Sequence, residues 1–501
     1  MITANPPGFA IEKQVWVAGL LLFLGSSLLY FLTRSPGLDE IDSVNFAMGV
    51  HQFNLWEHQP HPPGYPLYIF FGWISSILFG ADPNASLHVA SALGGGLLVG
   101  TWFITIRLQF NQRLAWWVAA CLLITPVVWM TSTKVLTDSL AAGLLSAQIL
   151  TAVYFSRTGA RRALLVAGML GAAAAGTRPQ LILVVSVVLA TALLAGPSVG
   201  GKWAWLGWAC LLGGCLMWLV PMWYIQSELK PQVSAGSVYP QLVYKFWAGR
   251  LDKPSMYLFA ASWTFKYIAT RCAFHFLGWY GVGLGFIQSW PALILGTLVS
   301  TIGVAAYLFG LRGPADASFW KFHTPWAVVH IAAIFISLPA TQRYYVVIFP
   351  LILVPVLAGF LRMERPWNSA VFAVPVVLLL TTVPIAIANH RDEAPPIRLV
   401  RYLQQLYLPP QRQKVVLLLS TRTKRHAEWY SPDFTIVSPI PPPERLPEIT
   451  KDAVAVYTDD PWASLPSRWT RIPINAFTRS VIIYWKVHYL ELYFIDRQKR
   501  A

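Results

Sequence analysis

Long apolar segments follow one another through residues 1–390, and most of them are separated by short polar loops. The first, residues 15–32, is apolar and about 18 residues long, which is enough for one membrane crossing at about 1.5 Å per residue. Only 12% of the residues are charged, against about 25% in a typical soluble domain, and the mean hydropathy is +0.51. The sequence therefore predicts an α-helical polytopic membrane protein.

The formal net charge of +16 raises the question of a nucleic-acid partner. The basic residues are scattered through short loops and the C-terminal tail, and no basic run alternates with aromatic residues as single-strand binding requires. Retention of Lys and Arg in cytoplasmic loops, together with attraction to anionic lipid headgroups, accounts for such a distribution. We expect membrane lipids as partners and no nucleic acid.

The loop charges predict the topology. The segment 65–80 is short for a crossing, and treating it as an interfacial helix leaves about eleven spans with eleven Lys and Arg in inside segments. The short outside segments then hold only four basic residues: Arg34, Lys134, Arg178 and Arg343. The predicted spans are 15–32, 87–106, 114–131, 135–155, 163–176, 179–196, 203–225, 281–311, 323–340, 344–361 and 368–388. The N-terminus is predicted inside and the C-terminus outside.

Three regions are predicted on the extracytoplasmic face: two loops of the transmembrane module, which covers residues 1–390, and a C-terminal domain. The first external loop covers 33–64, and the second covers 226–280 and offers Arg250, Arg271 and His275 as candidate substrate contacts. Residues 391–501 predict a small extracytoplasmic α/β domain, with an amphipathic helix at 397–408 and buried strands at 414–420 and 453–457. No glycine-rich nucleotide motif opens any of its helices.

The first external loop contains an unusual concentration of acids just after the membrane exit: Asp39, Glu40 and Asp42. An exposed acidic patch that only marks an external loop is the simpler interpretation. A helix-like stretch, 43–50, follows the acids directly, so Asp42 lies where a helix begins. A carboxylate held there can take a proton from an acceptor hydroxyl as a general base.

The same loop ends in His61-Pro-Pro-Gly-Tyr65-Pro, a rigid turn that aims the chain back at the membrane. The prolines and glycine have a structural role that does not exclude a function for His61, which can bind a phosphate or share a metal with the acids. A divalent-cation site of His51, His58 and His61 with Asp42 is an alternative, although the spacing matches no strong ligand pattern.

Asp138 is the most isolated acid of the membrane module and lies about one turn inside the outer surface. An acid on a span is costly, so it needs a partner, and Lys134 at i−4 is a candidate for a purely structural pair. Arg178 and Arg343 stand at outer span edges, where headgroup snorkelling is the alternative to a function. With Lys134 they are candidate cationic contacts for a lipid-linked phosphate.

Four short motifs resemble those of the GT-C superfamily of polyprenyl-phosphate-sugar glycosyltransferases, which includes protein O-mannosyltransferases and the lipid A aminoarabinose transferase. Asp42-Ser-Val-Asn-Phe-Ala47 is similar to the family's acidic first-loop motif, and His61-Pro-Pro-Gly-Tyr-Pro-Leu-Tyr68 is similar to the branch of TMEM-type O-mannosyltransferases. Leu136-Thr-Asp138-Ser resembles the second-acid position, and Arg343-Tyr344 resembles the Arg-Tyr motif of a late span. Where many members carry a lysine before the Pro-Pro pair, this chain has His61.

The resemblance implies transfer of one sugar from an undecaprenyl- or dolichyl-phosphate carrier to an external lipid, glycan or protein acceptor, with inversion and without a nucleotide sugar. It implies Asp42 as general base, with Glu40 beside it, and Asp138 as a second acid. It implies Arg178, Arg343 and His61 as phosphate contacts. Asp39 and Tyr65 complete the predicted donor and acceptor loop.

An oligosaccharide transferase or an O-acyltransferase remains open within the enzyme class, and two further functions remain open outside it. A transporter or lipid flippase usually shows internal repeats and midplane charges, whereas here the charges cluster at one face and no repeat is visible. A non-catalytic membrane scaffold would tolerate neutralisation of Asp42. We expect a multi-pass protein, with a bacterial inner or plasma membrane as the simplest context and the active site on the extracytoplasmic face.

Overall fold

The computed structural model describes residues 12–80, 82–197, 200–233, 238, 241, 302, 305–311, 314–337, 342–479 and 489–497. Within these ranges the membrane module is built from helices joined by loops. Its helices are α1 Lys13–Leu32, α2 Ile41–His51, α3 Pro66–Phe79, α4 Pro83–Gln109, α5 Gln112–Leu123, α6 Pro126–Ser132, α7 Thr137–Thr158, α8 Arg162–Thr177, α9 Ile182–Ala195, α10 Gly201–Leu229, α11 Pro314–Ser337, α12 Phe349–Arg362 and α13 Ala373–Arg391. Short 3₁₀ helices lie at Leu55–Glu57, Pro179–Leu181, Gln342–Val347 and Trp367–Phe372.

Several helices have the length and apolarity of membrane spans. Within the described ranges, five qualify, or six if one bent pair is a single span. The five are Lys13–Leu32, Pro83–Gln109, Thr137–Thr158, Gly201–Leu229 and Trp367–Leu406. Shorter apolar helices occupy other predicted spans, and the predicted span 281–311 lies largely outside the described residues. A multi-pass helical protein is confirmed, and the count of eleven stays a prediction.

The segment predicted as the span 114–131 is broken in the middle rather than one straight helix. Helix α5 ends at Leu123, α6 starts at Pro126, and the two axes are bent by 56°. Pro126 has no backbone N–H, and its ring disfavours a helical conformation at the preceding Thr125. The hydroxyl of Thr125 instead donates to the carbonyl of Cys121, at 2.6 Å. The break lets the chain after α6 approach the first external loop.

Helix α4 is the centre of the membrane module and packs against α1 and α7. Glycines allow this close approach: a Cβ at Gly94 would lie 2.2 Å from the Cα of Leu140, and a Cβ at Gly143 would lie 2.3 Å from the carbonyl oxygen of Gly94. Small residues at helix contacts are typical of membrane bundles, where packing replaces the hydrophobic effect. The α4–α7 contact fixes the start of α7, which carries Asp138.

The C-terminal segment contains a five-stranded sheet. Its strands are β1 Val415–Leu418, β2 Thr435–Val437, β3 Ala455–Thr458, β4 Thr470–Thr478 and β5 Tyr489–Asp496, in the order β2-β1-β3-β5-β4. The strands β2, β1 and β3 are parallel, whereas β5 and β4 are antiparallel. Its helices are α14 Pro395–Leu406, α15 Pro409–Arg412, α16 Thr421–Tyr430 and α17 Leu446–Ile449, with a 3₁₀ turn at Pro443–Arg445.

The apolar strands β1 and β3 are fully buried, as expected of parallel strands covered on both faces. They confirm the strands predicted at 414–420 and 453–457. The amphipathic helix predicted at 397–408 is α14, whose buried face includes Ile397, Leu399 and Leu403. Strand β4 was missed because most of its side chains are exposed and Pro473 interrupts its strand pattern.

Candidate active site

The acids of the first loop stand at the start of a helix. Glu40 is the N-cap of α2 and Asp42 lies in its first turn. Negative side chains are favoured at helix N-termini, where backbone N–H groups lack intrahelical partners. The hydroxyl of Ser43 donates to the carbonyl of Val135 at 2.8 Å, so this turn is fixed against the α6–α7 connection.

The second acid and a cation also lie at helix ends. Asp138 is in the first turn of α7, and Arg178 is the C-cap of α8. These two helix ends have the charges that the helix dipole favours, and Arg178 Nη1 donates to Asp138 Oδ1. The guanidinium of Arg178 also lies 4.2 Å from the ring centroid of Tyr344, a cation–π contact.

Arg343 joins the three carboxylates. Its Nη1 donates to Glu40 Oε2 at 2.6 Å, and its Nη2 donates to Asp42 Oδ2 at 2.7 Å. Its Nε lies 3.5 Å from Asp138 Oδ2. The side chain of Asp42 is 27% exposed, whereas those of Glu40 and Asp138 are 9% and 2% exposed. Among these acids, Asp42 is therefore the most accessible to a substrate.

The Pro-Pro-Gly-Tyr-Pro turn places His61 against this cluster. Gly64 has φ +111° and Tyr65 has φ +48°, and Pro66 then opens α3. His61 Nε2 is 2.9 Å from the hydroxyl of Tyr65, and His61 Nδ1 is 3.7 Å from Asp42 Oδ1. Burial lowers the pKa of His61 below its usual value, although Asp42 opposes the shift. The ring is therefore mainly neutral at pH 7.

We define the acid–arginine cluster as Glu40, Asp42, Asp138, Arg178 and Arg343. The sequence predicted each member separately, and the structure brings all five together with His61. With both arginines charged and His61 neutral, three carboxylates face two guanidiniums. The cluster combines an accessible carboxylate with two forked cations, which can bind a phosphate through paired hydrogen bonds.

The structure corrects the placement expected for Lys134. The sequence offered it as a partner of Asp138 or as a phosphate contact, but α7 begins only at Thr137, so Lys134 is not one helical turn before Asp138. Its Nζ is instead 2.8 Å from Asp39 Oδ2, and both side chains are 1% exposed. Lys134 and Asp39 thus form a buried pair beside the acid–arginine cluster rather than part of an open loop.

The other predicted site residues divide into two groups. In the described part of the chain no three His, Cys, Asp or Glu side chains form a group able to hold a metal ion, so the predicted set of His51, His58 and His61 with Asp42 is not assembled. The ring of His51 instead packs against Trp429, with centroids 5.3 Å apart. Three candidates of the second external loop, Arg250, Arg271 and His275, lie outside the described residues.

The sequence did not predict the contacts between the C-terminal segment and the first loop. Arg479, which follows β4, lies 3.1 Å from Asp39 Oδ2. The backbone of Leu38 is bonded to Tyr430 and His426 of α16. No local pattern marks these residues, because each contact joins parts of the chain far apart in sequence.

Comparison with known proteins finds a partial match to one family and one curated relative. Residues 60–224 match the family model "Dolichyl-phosphate-mannose-protein mannosyltransferase". A curated Dictyostelium discoideum protein, "Protein O-mannosyl-transferase tmem260", is 29% identical over 130 residues, which is 24% of this chain and 15% of that protein's length. The chain thus spans a small part of this relative.

Two solved structures share the fold over most of the chain. One is ArnT from Cupriavidus metallidurans bound to undecaprenyl phosphate, with a TM-score of 0.51, 14% identity, and coverage of 96% of this chain and 98% of that chain. The other is the Archaeoglobus fulgidus oligosaccharyltransferase tethered with an acceptor peptide, with a TM-score of 0.51, 13% identity, and coverage of 89% and 69%. In its fold, and over residues 60–224 in its sequence, this chain is similar to integral-membrane glycosyltransferases of the GT-C superfamily.

Proposed function

We propose that this protein transfers a single sugar from a polyprenyl-phosphate donor to an extracytoplasmic acceptor, with inversion at the anomeric carbon. The observation that carries the proposal is the acid–arginine cluster, in which Arg343 joins the accessible Asp42 to Glu40 and lies near Asp138. The bound undecaprenyl phosphate of the Cupriavidus ArnT structure supports a lipid-linked donor. The acceptor is a lipid, a glycan or a protein.

In the proposed reaction Asp42 is the general base. Its carboxylate accepts the proton of an acceptor hydroxyl while the hydroxyl oxygen forms a bond to the anomeric carbon. The bond from that carbon to the phosphate oxygen breaks, and the leaving phosphate keeps the electron pair. A single displacement of this kind inverts the configuration.

The two arginines stabilise the charge of the leaving phosphate. Forked guanidiniums match phosphate oxygens, and their charges act on the developing negative charge of the transition state. Because Arg343 donates to Asp42 in this structure, the donor phosphate competes with Asp42 for the same guanidinium. Donor binding therefore releases Asp42 toward the acceptor hydroxyl.

The orientation of the membrane module supports an extracytoplasmic site. The acids lie where α2 and α7 begin, and the predicted positive-inside topology places both helix starts on the outer face. We place the predicted domain of residues 391–501 on the same face, and its contacts with the first external loop support this placement.

The test is transfer of labelled sugar from synthetic polyprenyl-phosphate sugars to membrane acceptors by purified wild type and Asp42→Asn. We expect wild-type turnover that is lost in a folded Asp42→Asn and retained in Asp452→Asn, a control at an exposed carboxylate. Full activity of Asp42→Asn would show that Asp42 is not the general base and would leave Glu40 or Asp138 as the candidate. Absence of transfer from a whole panel of donors would refute the glycosyltransferase proposal and favour a transporter or scaffold.

A further inference from the structure

A second group of charges lies buried beside the acid–arginine cluster. Asp39 Oδ2 is 2.8 Å from Lys134 Nζ and 3.1 Å from Arg479 Nη1. The three side chains are 1%, 1% and 0% exposed, so solvent does not screen their charges. We define Asp39, Lys134 and Arg479 as the buried ion triad.

The triad joins three segments of the chain. Asp39 directly precedes Glu40 and the helix that carries Asp42. Lys134 lies in the connection between α6 and α7, four residues before Asp138. Arg479 follows β4 in the C-terminal sheet. Each acid-bearing segment of the acid–arginine cluster is thus connected through one carboxylate to the C-terminal segment.

Helix α16 contacts the first external loop at Leu38, the residue directly before Asp39. The N–H of Leu38 donates to the hydroxyl of Tyr430 at 2.9 Å, and His426 Nε2 lies 3.0 Å from the carbonyl oxygen of Leu38. Arg425 Nη2 donates to the carbonyl of Glu57 at 2.5 Å, farther along the loop. Both backbone polar groups of Leu38 are therefore bonded to the C-terminal segment.

The charges of the triad do not balance. Lys134 alone neutralises Asp39, and Arg479 adds a second buried cation, which is costly unless it makes specific interactions. Burial lowers the pKa of Lys134 to about 8, with Asp39 opposing the shift and Arg479 adding to it. Arg479 therefore disfavours the protonated form of Lys134. Because Lys134 already neutralises Asp39, neutralisation of Asp39 does not explain the presence of Arg479.

We propose that Arg479 is a positioning residue: through Asp39 it fixes the backbone that precedes α2 and thereby the orientation of Asp42 and Glu40 toward Arg343. The C-terminal segment thus takes part in forming the active site without touching the substrate. Placement within about 1 Å matters for catalysis, because a small displacement of a reacting group can cost about 100-fold in rate. This inference rests on the proposed function for its kinetic consequence.

The test compares Arg479→Met with wild type. This variant leaves Asp39 and Lys134 as a balanced pair, so we expect a folded protein with an unchanged unfolding temperature. We expect kcat for sugar transfer to fall by about 10-fold or more, whereas the donor KM stays within about twofold because Arg178 and Arg343 are untouched. Arg479→Lys keeps the cation and should restore part of kcat, and Arg401→Met, at a half-exposed surface pair with Glu393, should change neither parameter.

A second readout does not depend on transfer. Hydrogen exchange of the backbone amides of residues 38–44 should become faster in Arg479→Met and remain unchanged in Arg401→Met. If wild type transfers no sugar but exchange increases, the positioning role stands and the proposed function fails. A folded Arg479→Met with wild-type kcat and wild-type exchange would overturn the positioning role.

If Arg479→Met does not fold, the same two measurements are made on Tyr430→Phe. It removes only the hydroxyl that accepts the Leu38 N–H and leaves every charge in place. We expect faster exchange of residues 38–44 and a lower kcat at unchanged donor KM. Wild-type values of both quantities would overturn the proposal.

Discussion

Arg343→Gln is the substitution that most directly tests the acid–arginine cluster. It removes the cation that contacts Glu40 at 2.6 Å and Asp42 at 2.7 Å, and that lies 3.5 Å from Asp138. Removing one partner of a buried ion pair costs about 3–5 kcal/mol. We expect the free energy of unfolding to fall by about 3 kcal/mol, the lower end of that range, because Asp42 is partly exposed and Arg178 still neutralises Asp138.

In the proposed reaction, the effect on activity follows from the hydrogen bonds that the donor phosphate would lose. A hydrogen bond to a charged group contributes about 1.5–3 kcal/mol, and about 1.4 kcal/mol is tenfold in rate. We therefore expect kcat/KM for the donor to fall by roughly 10- to 150-fold. The loss should be shared between a higher donor KM, because Arg343 contacts the bound phosphate, and a lower kcat, because Arg343 also acts on the developing charge of the leaving phosphate. Arg343→Lys keeps the positive charge but loses the forked guanidinium, so its kcat/KM for the donor should lie between those of wild type and Arg343→Gln.

The assay measures initial rates of sugar transfer over a range of donor concentrations at a fixed acceptor concentration. Tryptophan fluorescence of the detergent-solubilised protein gives the unfolding temperature of each variant. Arg401→Gln, at a half-exposed surface pair, is the matched control. A wild-type donor KM together with wild-type stability in Arg343→Gln would refute the assignment of Arg343 to both the cluster and the phosphate.

Three further predictions concern stability, packing and the histidine of the turn. Burial lowers the pKa of Lys134 from 10.5 to about 8, so above pH 8 the protein takes up a proton when it unfolds. The free energy of unfolding should therefore rise with pH by up to about 1.4 kcal/mol per unit between pH 8 and 9.5. Fluorescence-monitored unfolding at each pH should show this slope in wild type but not in Lys134→Met. Gly94→Ala should lower the unfolding temperature or prevent folding, because its Cβ would clash with a neighbouring backbone. Gly213→Ala should not, because its Cβ would meet nothing within 4 Å. Equal unfolding temperatures for the two variants would contradict the packing argument. His61→Gln keeps a partner for the Tyr65 hydroxyl, and since the ring is mainly neutral at pH 7 we expect donor KM to change by less than about threefold; a larger loss in donor titrations would show that a charged His61 binds phosphate.

The amino-acid sequence by itself determined most of the helices and two strands. A membrane span needs about 20 apolar residues in a row, and such runs can be located without tertiary information. Helix α2 was predicted for similar local reasons, since the stretch 43–50 directly follows an acid that can begin a helix. The strands β1 and β3 were found because buried parallel strands are continuous apolar runs. Each of these elements is specified by neighbouring residues.

The tertiary structure alone decided which charges meet. The sequence marked Asp42, Asp138, Arg178 and Arg343 one by one, and it paired Lys134 with Asp138 because helical spacing is the only pairing rule that local sequence offers. In the fold, Arg343 meets Glu40 from 303 residues away, and Lys134 meets Asp39. A buried charge must be compensated by whichever opposite charge the packing of helices brings near it. That neighbour has no periodic signature in the sequence, so the site and the buried ion triad appear only when the chain is folded.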